Sequence, residues 1–208
     1  MDTPQPLIID RLMPHYDATR VDVLLVDAPT DVVYDVARDL DFLEISSPFV
    51  DAAMWLRSAP TAVAARLRGD EPPPPPPSMR LGDMFDHPDD AGLEGWIALA
   101  EQPGREIVFG AVGAFWKADI PWQTIAPAEF GGFAEPGMAK IAASLTTVPY
   151  GEGRTLLAYE ARTVGTDAAA TRKFLRYWRL VNRFVGVIMR AALRTIGETA
   201  VHRTPSRV

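Results

Sequence analysis

The chain has 208 residues, 48% of them hydrophobic and 23% charged, which excludes a disordered or fibrous protein and supplies enough apolar side chain for one domain with a real core. Cysteine is absent, so disulfides and thiolate chemistry are excluded, and no metal or other cofactor is expected: a metal site would have to be built from His and carboxylates alone. The net charge of −6 is uneven, because positions 167–200 hold seven basic and two acidic residues and so carry +5, leaving −11 for the rest. That acidic body argues against a nucleic-acid or anionic-membrane partner. Nothing after Met1 reads as a leader and eighteen apolar residues never run together, so the expectation is a cytoplasmic protein with no stable membrane insertion.

Residues 1–18 contain three prolines and no sustained period, and read as an irregular lead-in. Thr19 to Asp27 is rich in β-branched and aliphatic residues and stops at Ala28-Pro29, which predicts a first strand. Pro29 suits the first turn of a helix, and Val32, Val33, Val36, Ala37 and Leu40 follow at helical spacing. A second helical region is expected from about Phe42 to Arg68. The six prolines Pro72–Pro77 must be extended and predict a spacer loop of polyproline form. His87 lies beside Asp89 and Asp90, but no second His stands at ligand spacing, so a polar loop is the expectation there.

Leu93–Glu101, Arg105–Trp116, Gly137–Pro149 and Arg154–Val164 then read as strands separated by turn signals, of which Tyr150-Gly151-Glu152-Gly153 is the strongest. The Asp119–Pro136 insertion carries Trp122, Phe130 and Phe133. It is expected to fold back over the sheet with one helical turn near Ala128–Phe130. The last segment, 167–200, is an amphipathic helix: Phe174, Trp178, Val181, Val185, Ile188, Ala192 and Ile196 share one stripe, and Arg172, Arg176, Arg179, Arg183, Arg190 and Arg194 share the opposite one. Thr166 or Asp167 is placed to cap it.

One strand, two helices, a run of antiparallel strands and a long closing helix is an α+β order in which a curved sheet can wrap the last helix. Together with Val26-Asp27-Ala28-Pro29 followed by Val32, Val33 and Tyr34, this order resembles the START-like, Bet v 1-like (SRPBCC) superfamily of polyketide cyclases and lipid-transfer proteins. Gly113 to Trp116, Phe133 to Gly137, Glu160 to Arg162 and Phe174 to Trp178 are similar to those of an uncharacterised actinobacterial-type branch. The resemblance implies a helix-grip fold over a single domain of residues 19–200, a tail at 201–208 and a cavity under the long helix. It carries no catalytic signature.

If the Tyr150–Gly153 turn is symmetric, Pro149 faces Arg154, and Ile141, Ala143 and Leu145 share the inner face with Arg162, Glu160 and Ala158. Lys140, Ser144, Thr146, Tyr159 and Thr163 then face solvent. Small Ala143 and Ala158 leave room against Trp178, Val181 and Val185 of the helix, Glu160 and Arg162 either hold a polar group or pair with each other, and Trp96, Phe109 and Phe115 either pack the core or line the wall. Three functions fit this pattern. The first is binding of an apolar or amphipathic small molecule between sheet and helix. The second is a polyketide cyclase or dehydratase chemistry with Glu160 as acid or base, which requires a pocket carboxylate without an ion partner. The third is an interaction module whose arginine stripe meets an acidic partner or a second copy of the chain as a homodimer.

Overall fold

The computed structural model describes residues 5–42, 80–87 and 95–204; the helical region expected at 42–68, the prolines at 72–77, and Asp89 and Asp90 lie outside the described residues, apart from Phe42 itself. The elements are helix α1 (Ile8–Leu12), strand β1 (Ala18–Val26), helix α2 (Thr30–Arg38), the short helix α3 (Asp83–Asp86), strands β2 (Trp96–Gln102), β3 (Glu106–Gly113), β4 (Ala139–Pro149) and β5 (Thr155–Gly165), and the 36-residue helix α4 (Ala168–Arg203), about 54 Å long. The strands form one antiparallel sheet in the order β1-β5-β4-β3-β2, and α2 and α4 cover one face of it. This is the α+β helix-grip arrangement.

The β4–β5 hairpin departs from the expected register. Pro149 pairs with Thr155, not Arg154, and the turn closes with the Tyr150 amide donating to the Arg154 carbonyl at 2.9 Å. Gly151 and Gly153 both sit at positive φ, +64° and +68°, a region other residues enter only under strain, so the loop takes five residues where four were expected. A one-residue slip turns every β5 side chain over. Leu157, Tyr159 and Ala161 therefore face α4 with Leu145, Ala143 and Ile141, while Ala158, Glu160 and Arg162 lie on the far face.

That far face is a second core and not a solvent surface over most of its extent. Ile8, Ile9 and Met13 from the N-terminal segment, and Phe130 from the insertion, bury Val108, Val112 and Ala142, and Ser144 and Thr146 are buried with them. The lead-in thus contains a packed helix, held at both ends by buried charges of the sheet. The Glu106 carboxylate, fully buried, accepts from the Ile8 and Ile9 amides at 2.5 and 3.0 Å, and the Arg162 guanidinium donates to the Met13 and Ile9 carbonyls at 3.2 and 3.5 Å. An anion at the amino end and a cation at the carboxyl end both match the helix dipole. Lys140 is also buried here; it donates to the Phe130 and Gly131 carbonyls, and desolvation pulls its pKa down. The insertion contributes a single turn at Pro127–Glu129, close to the place expected. Toward β1 the far face stays open, with Val21 and Val23 about half exposed.

On the α4 side, α2 packs Val33, Tyr34, Val36 and Ala37 onto Ile107, Phe109 and Leu157. Arg38 ties α2 to α3 and β2 through Asp86 at 2.8 Å and Glu101 at 3.0 Å. The α4 helix is started by Asp167, whose carboxylate accepts from the Ala169, Ala170 and Gly137 amides at 2.7, 2.8 and 2.6 Å, so one side chain caps the helix and fastens the entry of β4. The bonds from Ala170 and then Gly137 are the main reason its pKa is lowered.

Both anchoring carboxylates can be tested by stability. Glu106→Ala leaves two α1 amides without a buried acceptor and should cost about 1–3 kcal/mol in a denaturant titration; no loss would show that α1 is not anchored by this carboxylate. Because the folded pKa of Asp167 is depressed, its contribution is complete above the unfolded value of about 3.9 and lost as pH falls through the lower folded value. The melting temperature of wild type should therefore exceed that of Asp167→Asn at neutral pH and converge on it in acid.

Candidate functional site

The inner sheet face is a grid of cross-strand rows. Asp22, Tyr159, Leu145 and Ile107 lie side by side; the next row is Arg20, Ala161, Ala143, Phe109 and Ala98, and the next Ala18, Thr163, Ile141, Ala111 and Trp96. The middle row has three alanines, interrupted only by Phe109, so the sheet is shallowest where helices would otherwise meet large side chains. β2 holds its own register shift between Ala98 and Ala100, which turns Glu101 inward to α2.

Helix α4 crosses β1 and β5 and stands off β2 and β3. Its closest approach is at Gly186, where a Cβ would collide with the Arg20 guanidinium; any side chain there would have to displace that group. Arg20 in turn donates to Asp22 at 2.8 Å, and Arg190 of the helix reaches Asp22 at 3.3 Å. The carboxyl-terminal half of α4 is sealed by Met189, Ala192, Leu193, Ile196 and Ala200. Its middle is not: Trp178, Val181, Val185 and Ile188 are half-buried, and so are Trp96, Ala98, Ile141 and Ala161 opposite. Half-buried apolar side chains thus stand on both the helix and the sheet, and the region between them is the candidate groove.

Two sets of aromatic contacts lie along this face. In one, Phe174 stacks on Trp178 with centroids 5.8 Å apart, and Phe115 meets Trp122 at 5.8 Å. In the other, Phe109 is touched by Phe42 at 5.9 Å, Trp96 at 5.5 Å and Tyr159 at 6.3 Å.

Tyr159 is the polar group of this wall. It is 7% exposed, and its hydroxyl makes no hydrogen bond among the described residues. Among those residues no side-chain polar atom is both sealed and unbonded, so this hydroxyl keeps a small accessible surface. Burial pushes its pKa well above the usual tyrosine value, which keeps it a protonated donor.

Of the residues singled out from the sequence, Phe109, Ala143, Trp96 and Val185 belong to the core under α4, Phe115, Trp178 and again Trp96 belong to a neighbouring apolar cluster, and Val181 is half-buried on the helix. Ala158, Glu160 and Arg162 belong to neither, because the hairpin register places them on the opposite face. Glu160 accepts from Arg162 Nε at 2.6 Å, and Arg162 also holds Asp10 at 2.8 Å. Burial is the largest influence on Arg162 and lowers its pKa, but the bonds to Glu160 and Asp10 outweigh it and leave it raised. Glu160 is thus half of an ion pair turned away from α4, which removes it as an acid or base for the groove. Tyr159 and Ala161 are the two residues missed. The signal for them was present: Leu157, Tyr159 and Ala161 form a more apolar alternate set than Ala158, Glu160 and Arg162. Among the described residues no group of three or more His, Cys, Asp or Glu is placed to hold a metal, and no helix is long and apolar enough to cross a membrane.

No family model matches the chain, and no curated protein sequence matches it. Among solved structures it is similar to TTHA0849 from Thermus thermophilus (10% identity, 90% of this chain and 99% of that one, TM-score 0.32). It is also similar to the Zhui aromatase/cyclase from Streptomyces sp. R1128 (13% identity, 91% and 96%, TM-score 0.32). CalU16 from Micromonospora echinospora matches at 15% identity over 88% of each chain, with a TM-score of 0.25. Likeness at this level carries no inference about what the groove holds.

Proposed function

We propose that the chain binds an apolar or amphipathic small molecule in the groove between β2–β5 and α4, with the Tyr159 hydroxyl as the contact for a polar atom of the ligand. The observation that supports this most is the hydroxyl itself. It has no hydrogen-bond partner among the described residues and is not sealed, so an atom from outside the fold, a ligand's included, can reach it. The half-buried apolar side chains on both walls are the complementary feature: a concave, mostly apolar site with one orienting polar group is the common form of a small-molecule site. Among the described residues, the carboxylates Asp22 and Glu101 on this side of the sheet are each held by arginine, so the arrangement favours holding a molecule over transforming one.

Titration with an apolar fluorescent probe tests this. Wild type should take the probe up, and Ala161→Leu should abolish uptake with little change in stability, since the added methyls enter empty space. Tyr159→Phe should leave the free protein as stable or more so, yet weaken binding of a probe with a polar head. Overpacking by Ala161→Leu of about 1–3 kcal/mol, together with no uptake by wild type, would mean the groove is a filled core. Native mass spectrometry of protein purified from its own host would then identify the natural occupant as added mass.

A further inference from the structure

The face of α4 turned away from the sheet is unlike the remaining surface. From Ala168 to Gly197 the helix contains no acidic residue and seven basic ones, in a chain whose net charge is −6. Arg172, Arg176, Arg179, Arg183 and Arg194 are exposed, and among the described residues they form no ion pair; Arg190 alone of that stripe is paired, to Asp22. The described fold does not use these charges, so the pairing with the protein's own carboxylates that would explain them internally is missing there.

Beside the arginines stand two large apolar side chains that no described residue covers. Leu180 is 73% exposed and Phe184 51%, one turn apart, and with Arg179, Arg183 and Val187 they line a shallow depression. On a helical wheel Leu180, Phe184 and Val187 flank the arginine sector on one side, so a flat surface meeting this face would touch both sets at once. A second copy of the chain docking face to face would bring the arginines against each other, which disfavours self-association. Phosphates alone would satisfy the cations but leave Leu180 and Phe184 in water.

We infer that this face of α4 docks on an anionic phospholipid surface, with Arg176, Arg179 and Arg183 on the headgroup phosphates and Leu180 and Phe184 inserted at the level where the acyl chains begin. Such a surface offers negative charge and an apolar interior in that order of depth, which is the arrangement an interfacial helix exploits. The inference is independent of what the groove holds.

Vesicle flotation of the full chain decides it, comparing vesicles of phosphatidylcholine alone with vesicles containing phosphatidylglycerol. Wild type should float with the anionic vesicles, bind them less as ionic strength rises, and ignore the neutral ones. Leu180→Ser/Phe184→Ser should lower vesicle affinity more than about tenfold, with an unchanged circular dichroism spectrum and melting temperature because both side chains are exposed. Arg179→Gln/Arg183→Gln should lower it by roughly fivefold per arginine and flatten the salt dependence. Absence of flotation at low ionic strength would overturn the inference, as would equal binding by the serine variant. Tighter binding to soluble poly-glutamate than to anionic vesicles would also overturn it, and would point to an acidic protein.

Discussion

The β4–β5 hairpin closes with Pro149 opposite Thr155, and the rest of the molecule's chemistry depends on that register. Because side chains alternate across a strand, this single pairing decides that Leu157, Tyr159 and Ala161 meet α4 while Ala158, Glu160 and Arg162 take the face that α1 covers. The two left-handed glycines, Gly151 and Gly153, are what let the turn take its fifth residue. A buried hydroxyl thereby comes to face an apolar groove, and a buried ion pair comes to face a helix whose carbonyls it can satisfy.

The sheet consequently serves two cores with different electrostatic solutions. On the α1 side Glu106 at one end of α1 and Arg162 at the other are buried and fully employed, with the half-buried Glu160 and the exposed Asp10 completing the Arg162 contacts. Removing one partner of such a set strands the other, which is why this side reads as structure. On the α4 side the charges gather at the β1 edge, where Arg20, Asp22 and Arg190 meet beneath Gly186. That contact draws the helix toward β1 and leaves its middle clear of β2 and β3.

Much of this was legible in the sequence. The strong punctuation of Ala28-Pro29 located the end of the first strand, and the three-and-four spacing from Phe174 to Ile196 located the long helix, because those signals are local. The α+β order and the wrapped helix followed from element sequence alone. What failed depended on contacts distant in sequence. The lead-in looked irregular because a five-residue helix has no period to detect, and α1 is held by Glu106, some hundred residues away. The register failed because turn length was read from glycine position without asking which alternate set of β5 was the more apolar. Glu160 then looked like a pocket carboxylate, and Tyr159 like a solvent-facing residue, by the same single slip.

Tyr159 carries an unpartnered hydroxyl on the sheet face that α4 covers, and the proposed function stands or falls on whether a ligand meets it there. A crystal structure of the chain grown with an apolar probe bearing one polar oxygen tests it most directly. Density for the probe is expected between the sheet and α4, with its oxygen within hydrogen-bonding distance of the Tyr159 hydroxyl. A groove filled by the protein's own side chains, with that hydroxyl bonded internally and the probe absent or bound elsewhere, would contradict it.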